Sequence, residues 1–112
     1  MLTQAQIDEY HTRGFLAIDD VLSPTEVQEL RDVTDEFVDQ SRAFTEHTDV
    51  FDLEPDHTAQ APKLRRLINP ASNHEAYDRT LRHDKILDMV SQLVGTESVR
   101  TNGNKLNMKA SG

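Results

Sequence analysis

The sequence predicts an α+β fold, and three observations carry that prediction. Helix starts are written twice near the amino terminus, at Thr3 with Gln6 and at Ser23-Pro24-Thr25-Glu26, each followed by apolar residues at helical spacing. A short run rich in branched and basic side chains, Lys63 to Asn69, is closed by Pro70 and has strand character. The terminal stretch Ser98 to Gly112 alternates in its second half, with Lys105, Asn107 and Lys109 on one face and Leu106, Met108 and Ala110 on the other. One side of that strand requires a core, and the other faces an anion or water.

Taken in order, Thr3 and Gln6 form a capping box, Leu2 and Ile7 sit at the staple positions, and a first helix is expected from about Gln4 to Arg13. Gly14 supplies its left-handed stop. Phe15 to Asp19, reading FLAID, is expected to be a short strand. Ser23 with Pro24 and Glu26 then opens a long helix in which Val27, Leu30, Val33, Phe37 and Val38 recur on one side, with acids crowding the others and the pattern fading near Phe44. Periodicity is lost from Glu46 to Pro62, which reads as a loop. In the strand that follows, alternation groups Leu64, Arg66 and Ile68, placing an arginine between apolar neighbours where an anion or a salt bridge must meet its charge. Ser72 with Glu75 is expected to start one further helix and Asp84 another, the latter turning Ile86, Leu87, Met89, Val90, Leu93 and Val94 inward and ending at Gly95. Asn102-Gly103-Asn104 is a bulge or tight turn before the last strand.

A chain of 112 residues is one domain or part of one, divided here into residues 1–62, helical support and acidic loop, and residues 63–112, a strand-helix-helix-strand unit. Its apolar fraction of 36% is low for a globular domain, which points to apolar faces built to be covered by something else. Net charge is -8, but residues 1–60 carry 15 acids against 3 bases and residues 61–112 carry 5 against 9, so any anionic ligand belongs to the second half. The acidic balance argues against nucleic acid or an anionic membrane as partner. Without cysteine there is no disulfide framework, thiolate site or cysteine nucleophile. The start lacks the pattern of a secretory leader and no apolar run is long enough to span a bilayer, so the expectation is a soluble, cytoplasmic protein.

His47-Thr48-Asp49 matches the H-x-D of a two-histidine, one-carboxylate iron site. A match of three residues is cheap, and this one sits in an acidic loop with no strand to aim both side chains, so it is read as loop chemistry. His11, His57, His74 and His83 share no ligand spacing and are read as surface or capping residues.

As an ordered set, LTQAQIDEYHTRGFLAIDDVLSPTEVQELRD, PKLRRLINP, ILDMVSQLVG and KLNMKASG resemble the amino-terminal part of the phytanoyl-CoA dioxygenase family, over essentially the whole chain. The resemblance implies helices plus the first strands of a double-stranded β-helix (jelly-roll) barrel, incomplete in this chain. It also implies Fe(II) and 2-oxoglutarate as cofactors and a small organic molecule as substrate. By the same resemblance Lys109 is the first choice for an anion contact, with Lys105 and Asn107 beside it, and Arg66 falls near a cosubstrate-binding lysine of relatives. For the lysines an exposed strand face is the alternative. The family's H-x-D and distal histidine are not in this chain, so no catalytic or metal-binding residue is assigned to it and the chain alone is expected to show no turnover. The rival readings are a non-catalytic acidic helical interaction module and a relative with a degenerate metal site.

Overall fold

The computed structural model describes residues 1–109, and Ala110 of the terminal alternation lies outside them. The elements run α1 (Gln4–Arg13), α2 (Pro24–Gln40), a 3-10 turn (Ser41–Ala43), β1 (Phe51–Leu53), β2 (Leu64–Ile68), α3 (Pro70–Asn73), α4 (Glu75–Leu81), α5 (Asp84–Val94) and β3 (Lys105–Asn107). The α+β class is observed, as helices packed on a small antiparallel sheet of order β1-β2-β3.

Local chemistry sets the helix ends. Thr3 and Gln6 close a capping box at α1, and Gly14 ends that helix at φ 84°. Ser23 and Glu26 close a second box at α2, with Pro24 in the first turn, where its missing N–H costs nothing. Ser23→Ala is expected to cost about 1 kcal/mol, the usual worth of a cap, and urea unfolding measures it; an unchanged midpoint would show that the box contributes nothing here. Glu26 is also tuned by this box. The Ser23 amide holds its carboxyl below the ordinary glutamate value against the opposing effect of desolvation, with the Ser23 hydroxyl and His83 adding to the lowering. A depressed carboxylate contributes stability that is present above its unfolded value and lost as pH falls through the folded one. The stability difference between the parent chain and Glu26→Gln is therefore expected at neutral pH, should begin to shrink as pH falls through about 4.5, and should vanish only below the depressed folded value.

Four expectations are corrected. Phe15 to Asp19 forms no strand: Leu16 and Ile18 are half-buried and Phe15 is exposed beneath the Arg13 guanidinium, 4.4 Å from its ring, with no ladder partner among the described residues. The expected loop Glu46–Pro62 contains β1, because Phe51 and Leu53 find a buried face as soon as β2 lies beside them. Ser72 and Asp84 are not the caps. His74 and His83 are, each accepting a backbone N–H two residues on through its ring. Finally, the pairing of β1 with β2 shifts between Asp52↔Arg66 and Leu53↔Leu64, a bulge that leaves Arg65 over and puts Leu64 and Leu67, rather than Leu64 and Ile68, on the buried side.

The core lies between the sheet and α2 and α4. Phe51, Leu53, Leu64 and Leu67 meet Val33, Phe37 and Ala76, with Leu106 and Met108 of the β3 segment packed on the edge of the cluster. Phe37 is central to it, its ring 5.9 Å from Tyr77 and 6.3 Å from both Phe51 and His74. A fixed join connects β3 to the start of α3: the Asn104 carbonyl accepts the Asn69 amide (3.1 Å) and its side-chain oxygen accepts the Ala71 amide (3.0 Å). Helix α5 has no buried residue despite its apolar stripe. It is tied to the rest through Leu2, whose amide donates to Gln92 (3.2 Å), and through His83, whose ring meets Glu26 (2.9 Å).

Candidate functional site

The sheet has two unlike faces. Leu67, the least exposed core side chain, lies opposite Phe51 on one neighbour and Leu106 on the other, and this row faces the helices. The adjacent row, Asp52, Arg66 and Asn107, is on the other face, since successive side chains of a strand point to opposite sides. Lys105 stands opposite Ile68, and Lys109 follows Asn107 by one further alternation. In the β3 segment Lys105, Asn107 and Lys109 are exposed while Leu106 and Met108 are half-buried, as the alternation requires. Arg66, Lys105 and Asn107 thus share one side of the sheet's alternation, and Lys109, beyond the end of β3, continues its exposed positions.

Their situations differ. The Arg66 Nε donates to Asp52 (2.8 Å), which is largely buried, so its charge is met inside the protein. The lysines and Asn107 are open to solvent, and Lys105 and Lys109 place two ammonium groups within residues 105–109, at the start of β3 and just beyond its end. Asn107 can donate or accept between the two charges. Asp52 is the residue that the sequence alone does not single out, because its segment reads as a loop; the short alternation Phe51-Asp52-Leu53 is the available signal.

Behind β3, on the helical side, an apolar cleft of about 710 Å³ opens between α2, α4 and the strand, with Leu30, Tyr77, Leu81, Leu106 and Met108 among its walls. Thr34 donates to the Leu30 carbonyl (2.7 Å), which leaves its oxygen to accept from the Tyr77 hydroxyl (2.7 Å). Partial burial raises the Tyr77 hydroxyl's pKa, and the Thr34 bond opposes that.

The His47-Thr48-Asp49 triplet is turn chemistry. Thr48 accepts the amides of Val50 (3.1 Å) and Phe51 (2.9 Å), and His47 Nδ1 accepts that of Leu53 (3.0 Å). Among the described residues no three His, Asp or Glu side chains converge where a metal ion could be held. The donor set of the described residues does not fit iron.

The phytanoyl-CoA dioxygenase (PhyH) family profile matches residues 10–111, nearly the whole chain. The chain belongs to the phytanoyl-CoA dioxygenase family. No curated protein and no solved structure matches it significantly. Members of this family are Fe(II)/2-oxoglutarate oxygenases. Among the described residues no helix is long and apolar enough to cross a membrane.

Proposed function

We propose that this chain is the amino-terminal portion of a cytoplasmic Fe(II)/2-oxoglutarate-dependent dioxygenase that hydroxylates an unactivated C–H of a small organic substrate. In this reading β1, β2 and β3 are the first strands of a double-stranded β-helix, and the helices brace the outside of the barrel. Family membership supports the reaction class, and the exposed alternation of Lys105, Asn107 and Lys109, with Asn107 opposite Arg66, is the observation that supports the site.

Lys109 is assigned the carboxylate of 2-oxoglutarate, with Asn107 and Lys105 orienting the anion and Arg66, held by Asp52, setting the strand on which they rest. When bound, 2-oxoglutarate would supply, by its oxidative decarboxylation, two of the four electrons that reduce O2, the other two coming from the substrate C–H. The residues of this chain bind and orient it. Iron would be held by groups outside the described set, so the 112 residues alone are expected to release no CO2 from 2-oxoglutarate in the presence of Fe(II) and O2. A polypeptide joining them to a segment that bears the iron ligands is expected to do so. Decarboxylation by the short chain, or its absence from the longer one with every substrate class offered, would overturn the reading.

A non-catalytic interaction module is the second reading, favoured by one observation: α5 carries six apolar residues on one stripe and buries none of them fully. It predicts a folded species of defined oligomeric state on size exclusion, with native near-ultraviolet dichroism, and no binding of 2-oxoglutarate.

A further inference from the structure

The segment between α5 and β3 contains the one Asn-Gly pair in the sequence, Asn102-Gly103. Residues 101–104 belong to no helix, strand or hydrogen-bonded turn, and both members of the pair are exposed. Gly103 has φ 99°, where a side chain would be strained, and nothing lies within 4 Å of the place a Cβ would take. The Thr101 hydroxyl donates to the Gly103 carbonyl (3.4 Å), and among the described residues the Gly103 amide and the Asn102 side chain have no hydrogen-bond partner. The nitrogen that follows an asparagine can close a five-membered ring on that asparagine's side-chain carbon, and glycine obstructs this closure least.

The other four asparagines are each obstructed. Asn69 is followed by Pro70, whose nitrogen carries no proton to lose. Behind Asn73 the His74 amide donates to the Pro70 carbonyl (3.1 Å), and behind Asn107 the Met108 amide donates to the Arg65 carbonyl (3.0 Å). The Asn104 side-chain oxygen is held by the Ala71 amide (3.0 Å), and the next residue, Lys105, has a bulky side chain.

We propose that Asn102 is a self-modifying site, at which the Gly103 nitrogen displaces the side-chain ammonia and the asparagine becomes an aspartyl or isoaspartyl residue. The Gly103 nitrogen loses its proton to base and attacks Cγ of Asn102; the Cγ–Nδ2 bond breaks, and ammonia leaves with a proton returned from the medium, giving a cyclic imide. Water then opens the ring. Cleavage between the nitrogen and Cγ restores the original main chain with an acidic side chain, whereas cleavage between the nitrogen and the Asn102 carbonyl carbon routes the main chain through Cβ and Cγ and lengthens it by one carbon. One water is consumed and one ammonia released, with no oxidation or reduction. Either product adds a negative charge three residues before Lys105. The longer main chain arises just ahead of Asn104, whose carbonyl and side chain join β3 to the start of α3 through the Asn69 and Ala71 amides. The modification therefore alters both the charge beside β3 and the join that places it, whatever the strand face binds.

The test is peptide mapping by mass spectrometry of the full chain after incubation at mildly alkaline pH, with a synthetic peptide of residues 99–105 as the unconstrained clock. Conversion at Asn102 is expected to run within about tenfold of the peptide and at least about tenfold ahead of every other asparagine, each tenfold step being ~1.4 kcal/mol of barrier. It should slow at mildly acidic pH, since the nitrogen must first lose its proton. In urea, Asn73 and Asn107 should gain on Asn102 as their obstructing bonds open. In the separated isoaspartyl form, exchange protection of the Asn69 and Ala71 amides is expected to fall about three- to tenfold, the worth of one hydrogen bond. Asn102 lagging the peptide beyond that range, another asparagine converting as fast in the folded chain, or unchanged protection of both amides in the isoaspartyl form would each overturn the proposal. Every readout uses the parent sequence, so no variant has to fold for the test to decide.

Discussion

Leu67→Ala is expected to lower the unfolding free energy by about 2–5 kcal/mol, the range for removing a fully buried leucine. Leu67 is 1% exposed, sits on the central strand and touches both neighbouring strands through Phe51 and Leu106. Collapse around the void is resisted on all sides, because α2 and α4 close the row from above through Phe37, Val33 and Ala76. Natural domains retain only about 5–15 kcal/mol in all, so such a loss consumes much of the margin. Ile68, the next residue, is half-buried on the other face and serves as the control: Ile68→Ala should cost clearly less. Urea unfolding of the two variants decides the matter, and equal costs would mean that the bulge does not set the faces as described.

Lys109→Ala is expected to raise the KM for 2-oxoglutarate about 10- to 100-fold in an iron-competent polypeptide, the loss of one charge-assisted contact to a carboxylate. The prediction rests on the proposed function. Lys109 is exposed, so its removal should leave thermal stability nearly unchanged, and an effect on KM would not be a folding effect. Arg66 offers the contrast. Its guanidinium already holds the largely buried Asp52, so Arg66→Ala should lower stability first, with any change in cosubstrate binding following from a displaced strand. A KM within about twofold of the parent for Lys109→Ala, with Arg66→Ala equally silent, would remove the basic strand face from the site.

What could be read from the chain by itself was whatever depends on near neighbours in sequence. The capping boxes at Thr3 and Ser23, the glycine stops at Gly14 and Gly95, the strand around Leu64 to Ile68 and the alternation of Lys105 to Lys109 all rest on groups within about four residues of one another, and the structure has each of them. The resemblance carried by the ordered set of motifs reached the family for the same reason, since the order of local signals survives without any contact between them. Tertiary structure alone decided the rest. β1 exists because β2 completes its hydrogen bonds; the bulge at Arg65 moves Leu67 into the core; and Phe15 to Asp19 lacks a ladder because no strand lies beside it among the described residues. The partner that satisfies Arg66 comes from 14 residues away, and that long-range pairing is invisible to periodicity. Hydrogen bonds within a helix turn are fixed by spacing, whereas a strand's faces, register and charge partners are set only when a second strand arrives.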